Sequence, residues 1–329
     1  MQYIVSAKNR IAIIRSDERC IPGFARKFRD QKLRNDCHAV VESRLIVKPA
    51  RAFERGQPYL PLQTDSLRSL YTLPPPLKWA GGKRWQLPHL RKLWEGESHR
   101  RLVEPFCGGL AVTLGLLPER ALLNDINPHL INFYYWLKRG LNISIEMSNN
   151  QTRFYKHRKR FNELLGSGKA TTKESASLFY YLNRTGYNGL CRFNRSGEFN
   201  VPFGKYATIN YKRDFLPYKT ILSNWEFSNT TFDSIDLEPD DFVYADPPYD
   251  VEFTQYSKDG FGWNEQVRAA ELLAKYSGPV VLSNQATKRI VELYEDLGYK
   301  IVKLNAPRRI SCTGDRSEAE ELLAFRNLH

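Results

Sequence analysis

The chain has 329 residues, 42% apolar and 13% aromatic, which excludes a disordered chain and leaves ample material for a core. Its net charge of +13 suits a polyanionic partner. No apolar run reaches the roughly 18–20 residues of a membrane helix, and arginines interrupt the opening "MQYIVSAKNRIAIIRSDERC", so neither a membrane span nor a signal peptide is expected and the chain reads as cytoplasmic.

Residues 1–70 hold 14 Lys/Arg against 7 Asp/Glu. Within them "YIVSAKNRIAIIR" predicts a small hairpin around Lys8–Asn9. The stretch "GQPYLPLQTDSLRSLYTLPPPL" then reads as a linker, stiffened by Pro74–Pro76. From residue 77 short apolar runs recur as strand candidates. Three of them, "RRLVEPF" (100–106), "RALLNDIN" (120–127) and "DFVYADPPY" (241–249), end in an acid. Further candidates are "GPVVLSN" (278–284), "YKIVKLN" (299–305) and "ELLAF" (321–325), with helical patterns at 264–277 and 287–298. Strands alternating with amphipathic helices predict a parallel, doubly wound α/β sheet.

Residues 151–230 break that alternation. They are rich in Asn, Arg, Tyr and Phe, open with helical segments at 153–165 and 173–184, and continue into "CRFNRSGEFNVPFG", a hairpin with its turn at Arg195–Gly197. A basic, aromatic insert in an α/β core reads as a recognition element.

Ligands of open sheets bind beyond the carboxyl ends of the strands. Glu104, Asp125 and Asp246 all fall at such ends. In "VYADPPYD" the prolines end the strand and leave bare carbonyls beside the Asp246 carboxylate and the Tyr249 ring. This is an acceptor corner for an exocyclic amine on an aromatic ring. Hydrogen bonds to Asp246 and the Pro247 carbonyl free the nitrogen lone pair and stabilise the charge growing there, while Tyr249 offers a stacking surface. Gly108 and Gly109 in "EPFCGGLAVTL" allow close backbone approach, and Asp125 is placed to take ribose hydroxyls. Neither G-x-x-x-x-G-K-[ST] nor a full G-x-G-x-x-G occurs. A nucleoside without pyrophosphate, such as S-adenosylmethionine, therefore fits better than ATP or NAD. The run "LKWAGGKRWQL" (77–87) gathers Lys78, Trp79 and Lys83 around Gly81–Gly82; it reads either as a ligand-holding turn or as a basic surface turn. The five cysteines (Cys20, Cys37, Cys107, Cys191, Cys312) form no C-x-x-C pair, so reduced thiols and no metal centre are expected.

In this order, "LKWAGGK", "VEPFCGG", "NDIN", "YLNRTGYNGLCRFNRSGEFNVPFGKY" and "DPPY" resemble the Dam-type DNA adenine methyltransferases of the α-group. The likeness runs from about residue 77 to 326 and includes "VVLSN" (280–284) and "RRISCTGDRSEAEELLAF" (308–325). It implies a Rossmann-like doubly wound sheet of the S-adenosylmethionine methyltransferase type with an inserted helical and hairpin target-recognition domain. The implied division is a basic extension of unread role (1–70), a first catalytic part (71–130), a recognition domain (131–230) with its DNA-reading hairpin at 187–206, and a second catalytic part (231–329).

The implied reaction moves a methyl group from S-adenosylmethionine to the exocyclic amino nitrogen of adenine in double-stranded DNA, in GATC. The base is flipped out and the transfer is a direct displacement, with no metal, no membrane and no obligatory protein partner. Catalysis maps to Asp246, Pro247 and Tyr249, and the cofactor to Trp79, Lys83, Glu104, Pro105, Phe106, Gly108, Asp125 and Asp246. DNA reading maps to Lys78, Tyr187, Asn188, Leu190, Arg192, Pro202 and Tyr206. In those roles Lys78 meets the first guanine, Arg192 pairs with a guanine edge, Leu190 meets a thymine methyl and Tyr187 wedges into the vacated space. One position departs from the family's F-x-G-x-G loop: Leu110 stands where the later glycine is usual. Two rival readings are a catalytically idle DNA binder and a methyltransferase acting on RNA adenine or protein glutamine. The complete Asp246 corner and donor loop speak against the first, and the basic insert with its duplex-reading hairpin favours DNA over RNA or protein.

Overall fold

A computed structural model of the chain describes residues 2–7, 10–15, 73–249, 261–306 and 319–328. The Lys8–Asn9 turn, the rest of the basic extension and the linker to residue 72, Asp250, the run 307–318, and Cys20, Cys37 and Cys312 lie outside the described residues. The chain forms two compact units, Met1–Leu62 and Gln63–His329. In the first, β1 (Gln2–Ala7) and β2 (Arg10–Arg15) pair antiparallel from Gln2↔Arg15 to Ala7↔Arg10, the hairpin expected there.

The second unit is built on β3 (Leu102–Glu104), β4 (Ala121–Asn124), β5 (Trp225–Ser228), β6 (Phe242–Ala245), β7 (Val280–Gln285), β8 (Lys300–Ala306) and β9 (Ala319–Arg326). Their order in one sheet is β5-β4-β3-β6-β7-β9-β8. The chain steps outward from β3 through β4 to β5, then returns to the other side of β3 for β6 and β7. The adjacent strands β3 and β6 therefore flank the point where strand order reverses, the usual crevice of a doubly wound sheet. The first five strands in that order are parallel. β9 is not: it runs antiparallel to both β7 and β8, which corrects the all-parallel expectation. β5 is a further strand that the alternation did not reveal; it lies inside the 131–230 segment read as recognition domain, yet its four residues pair with β4.

All residues of β3 and β6 are buried, as strands covered on both faces must be. Successive side chains join opposite cores: Leu102, Phe242 and Tyr244 pack on one face, Val103, Val243 and Ala245 on the other. On the first face, Trp94 of α1 (Leu87–Trp94) meets Phe242 edge-on at 5.1 Å. The second is closed by α7 (Trp263–Lys275) and α8 (Lys288–Asp296), through Ala270, Leu273, Ile290 and Tyr294. The elements numbered between these are α2 (Thr113–Leu116), α3 (Pro128–Lys138), α4 (Gln151–Gly166), α5 (Lys173–Thr185) and α6 (Leu216–Ile221).

The insert has its own cause. Asn150 and Thr172 cap α4 and α5 by accepting from Arg153 N and Ser175 N. Aromatic rings fill the space between them: Phe133 of α3 stacks on Tyr180 of α5 at 5.6 Å, and Phe161 of α4 meets Phe199 at 6.0 Å. The hairpin turns at Asn194–Gly197, with Gly197 N donating to Asn194 O at 3.0 Å and Gly197 at φ +75°. Instead of a continuous ladder, its arms are joined by isolated bridges, Phe193↔Phe199 and Gly186↔Phe203. Among the described residues no helix is long and apolar enough to cross a membrane.

Candidate active site

The corner after β6 is anchored from behind. Gln266 Nε2 donates to the Pro248 carbonyl at 2.6 Å, and Asn284 Nδ2 donates to Gln266 Oε1 at 3.0 Å. Both Gln266 and Asn284 are buried, so each hydrogen bond avoids leaving a desolvated polar group unpaired. This fixes the path of the chain from Asp246 to Tyr249.

At the front of the corner Asp246 Oδ1 is buried and accepts no hydrogen bond. Lys83 Nζ lies 3.4 Å from it, and burial pushes the Asp246 carboxyl up to about 7 even with this cation beside it. The Tyr249 hydroxyl donates to Glu321 Oε2 at 2.7 Å and lies 3.2 Å from Ser283 Oγ. Burial raises its pKa far above the phenol range, so it stays a donor. Lys83 Nζ also sits 4.2 Å from the centre of the Tyr249 ring. Lys83, Asp246 and Tyr249, from two distant parts of the sequence, thus form one cluster.

The second strand-end acid, Asp125, receives Gly108 N on Oδ2 at 3.1 Å and Asn127 N on Oδ1 at 2.9 Å. Burial raises its pKa and these two N–H groups oppose the rise. The loop before it is shaped by Trp79: a Cβ on Gly108 would come within 2.8 Å of Trp79 Nε1, and one on Gly109 within 2.8 Å of Trp79 Cβ. Only glycine lets the indole lie against this backbone. Leu110, the departure noted above, adopts φ +59°. The chain keeps the left-handed turn that glycine serves elsewhere, and spends the side chain on the core, where Leu110 is fully buried. Such a conformation costs a leucine about 1–2 kcal/mol.

Glu104 ends β3 and is buried, accepting from Thr113 Oγ1 of α2. Burial pushes its carboxyl up to about 8, and nearby Asp246 adds to the rise. Pro105 and Phe106 are placed differently. They line an apolar cleft of ≈ 290 Å³ with Phe232, Ile235 and Leu273, and none of Lys83, Asp246 or Tyr249 lines it.

The residues assigned to DNA reading form a separate patch. Lys78 Nζ lies 3.7 Å above the Tyr206 ring and donates to Arg184 O at 3.2 Å. Burial, then the Arg184 charge, lowers the Lys78 pKa. Tyr187 and Leu190 are 51% and 37% exposed. Tyr187 N donates to Pro202 O at 2.9 Å, and Tyr206 OH donates to Gly186 O at 3.0 Å. Arg192 Nε donates to Asn200 Oδ1 at 2.8 Å. Asn188 stands at φ +50°, next to Gly189, where a Cβ would strike Lys78 Cβ at 2.5 Å.

Several participants carried no local signal. Asn183, buried, receives Lys78 N at 2.9 Å and donates to Lys78 O at 2.7 Å and Gly189 O at 3.1 Å. It clamps the Lys78 segment to the hairpin across more than a hundred residues. Asn127 caps α3 and donates from Nδ2 to Cys191 Sγ at 3.3 Å, tying the Asp125 loop to the hairpin. Cys107 and Cys191 are free thiols, and burial pushes Cys191 up to about 12. Gln86, Ser283 and Glu321 form a polar layer under Tyr249. Ile126, 67% exposed beside Asp125, sits inside "NDIN" and was readable as an apolar residue on the rim.

Residues 79–310 match the model of the D12 class N6 adenine-specific DNA methyltransferase family. The chain is 36% identical over 266 residues to the retron Ec67 DNA adenine methylase of Escherichia coli, spanning 75% of this chain and 90% of that protein. A DNA adenine methylase of Vibrio cholerae is 36% identical over 274 residues, spanning 77% of this chain and 96% of its own length. The DNA adenine methylase of Escherichia coli K12 is 35% identical over 275 residues, spanning 76% and 94%. With this sheet order, this insert and these matches, the chain belongs to the D12 class of N6 adenine-specific DNA methyltransferases and is an adenine-specific DNA methyltransferase.

Proposed function

We infer that the enzyme methylates the adenine of GATC in double-stranded DNA, in the cytoplasm of a bacterial cell, with S-adenosylmethionine as donor and with Asp246, Pro247 and Tyr249 holding the flipped adenine. The observation that carries this reading is the buried Asp246 Oδ1 that accepts no hydrogen bond at the end of β6. An acceptor desolvated and left open is costly unless a donor arrives. An adenine amino group supplies that donor.

The residues present fit the cofactor as a nucleoside with an amino-acid tail. Asp125 is at the strand end where ribose hydroxyls are taken, Trp79 lies against the Gly108–Gly109 backbone beside it, and Lys83 is a cation for a carboxylate. When bound, S-adenosylmethionine supplies an electrophilic methyl group on a sulfonium. Asp246 would accept one amino N–H and the Pro247 carbonyl the other, freeing the nitrogen lone pair for the methyl group. As the N–C bond formed and the S–C bond broke, leaving a neutral thioether, Asp246 would balance the positive charge on nitrogen. A carboxylate with a pKa of about 7 is matched to taking the proton that the methylated amine then loses. Tyr249 stacks on the base.

On the reading side, Arg192 is oriented by Asn200 for a two-donor contact with guanine, and exposed Tyr187 fills the gap in the stack. The test is single-molecule sequencing of plasmid DNA from a methylation-free host expressing the chain. N6-methyladenine confined to GATC supports the reading. Methylation at another motif keeps the chemistry and overturns the hairpin assignment.

A further inference from the structure

Because β9 runs against the parallel strands, its first residues, not its last, arrive at the catalytic rim. Glu321 stands there, opposite Gln285 of β7 and Leu304 of β8. Its side chain is only 13% exposed, and burying a carboxylate costs several kcal/mol unless its partners compensate. Its Oε2 accepts from the Tyr249 hydroxyl at 2.7 Å and from Gln86 Nε2 at 3.1 Å, and lies 3.8 Å from Lys83 Nζ. Leu322, Leu323 and Ala324, the next residues of β9, are buried apolar side chains. An apolar residue at 321 would continue the strand without the desolvation cost. What the carboxylate touches instead is the stacking ring and the cation of the candidate site.

We propose that Glu321 is a positioning residue for methyl transfer, holding the Tyr249 ring and the Lys83 ammonium in place against Asp246. The proposal rests on the assignment of the adenine pocket to Asp246 and Tyr249. Physically, the hydroxyl of Tyr249 is the far end of its lever. With that end fixed by Glu321 and Ser283, the ring keeps one orientation before any base arrives, and the stacking surface is preorganised. Lys83 is shared: it sits between Asp246 at 3.4 Å and Glu321 at 3.8 Å. Glu321 therefore keeps the cation from closing fully onto Asp246, whose Oδ1 remains open.

The groups facing Asp246 are Lys83 from the loop before α1, Glu104 from β3, Tyr244 from β6, Tyr249 from the corner, Ser283 from β7 and Glu321 from β9. Of these, Glu321 is a negative neighbour on the strand that the chemistry does not otherwise use. Its charge raises the Asp246 pKa, so neutralising it must lower the pH at which Asp246 ionises.

The experiment compares Glu321→Gln, Glu321→Ala and Tyr249→Phe by single-turnover methyl transfer to a GATC duplex, duplex affinity, and the pH profile of the rate, with Asp246→Ala as reference. Glu321→Ala should slow transfer by about 10–100-fold while duplex affinity stays within about threefold. Added to Tyr249→Phe it should cost little more, because both remove the same clamp. Glu321→Gln, which keeps an acceptor for the Tyr249 hydroxyl, should retain more activity than Glu321→Ala and move the acid limb of the profile to lower pH. A wild-type rate in Glu321→Ala, additive losses, or an unmoved acid limb in Glu321→Gln each overturn the proposal. Where Glu321→Ala does not fold, Glu321→Gln and Tyr249→Phe carry the same test. An active Asp246→Ala enzyme instead removes the pocket assignment itself, whereas an inactive one beside a fully active Glu321→Ala removes only the role of Glu321.

Discussion

Strands β3 and β6 carry a charged cluster at each end, and the two clusters are built oppositely. At the amino end Arg101 and Asp241 face each other as a two-pronged pair, Nε to Oδ1 and Nη2 to Oδ2 both at 2.7 Å, and Asp241 is wholly buried. Glu238 N fills a further acceptor site on Asp241 at 2.7 Å. Every charge there is answered. At the carboxyl end two acids, Asp246 and Glu321, share Lys83, and Asp246 Oδ1 is left open. The difference separates a cluster complete in itself from one whose open acceptor the proposed reading gives to the adenine amino group. Completeness of hydrogen bonding, more than charge itself, distinguishes them.

The largest effect should come from breaking the complete cluster. Asp241→Ala takes from the buried Arg101 its two-pronged partner, leaving the exposed Glu238 carboxylate at 3.0 Å, and should destabilise the protein by about 3–5 kcal/mol, read from chemical unfolding. If that loss is under about 1 kcal/mol, the amino-end pair is not structural and the comparison fails there.

Arg192→Ala tests the reading patch, which belongs to neither cluster. It should cost about 1–3 kcal/mol of discrimination against one-base variants of GATC, measured as the ratio of methylation rates, with nonspecific affinity little changed. An undiminished preference for GATC would contradict the role given to Arg192.

The smallest effect sharpens the contrast through pH. The folded protein holds the Glu104 carboxyl at about 8 and Asp246 at about 7, both above their unfolded values. At these two groups the folded protein therefore binds more protons than the unfolded chain between roughly pH 4 and 8. The stability these two groups contribute is present below that window and lost as pH rises through it. The melting temperature of cofactor-free protein should fall from pH 6 to pH 8, and Glu104→Gln should flatten the fall. A variant with an unaltered slope would show that Glu104 does not titrate in this range.

The same contrast explains what the sequence could reveal. Glu104, Asp125 and Asp246 were legible because each sits at the junction of an apolar run and a turn, a local pattern. The helices of the insert were legible by their apolar period, and the hairpin by its Gly197 turn. β5 was not, because "WEFS" is four residues long and is made a strand only by pairing with β4. The reversed direction of β9 was hidden for a similar reason: its apolar run "ELLAF" looks the same in either direction. Glu321 and Gln86 meet across 235 residues and Asn183 meets Lys78 across 105. No local motif announces such pairs. Phe106 was assigned to the cofactor loop by its motif neighbours; that its ring packs against Phe232 at 5.6 Å in an apolar cleft had no local signal.

On the reading proposed above, the open acceptor at Asp246 is the seat of catalysis, and ionising it does not stabilise the fold. Asp246→Asn tests it directly, with N6-methyladenine formation on a GATC duplex and the melting temperature measured on the same preparation. Methylation should fall by about 10²–10³-fold while the melting temperature is unchanged or higher. Methylation at the wild-type rate would contradict it.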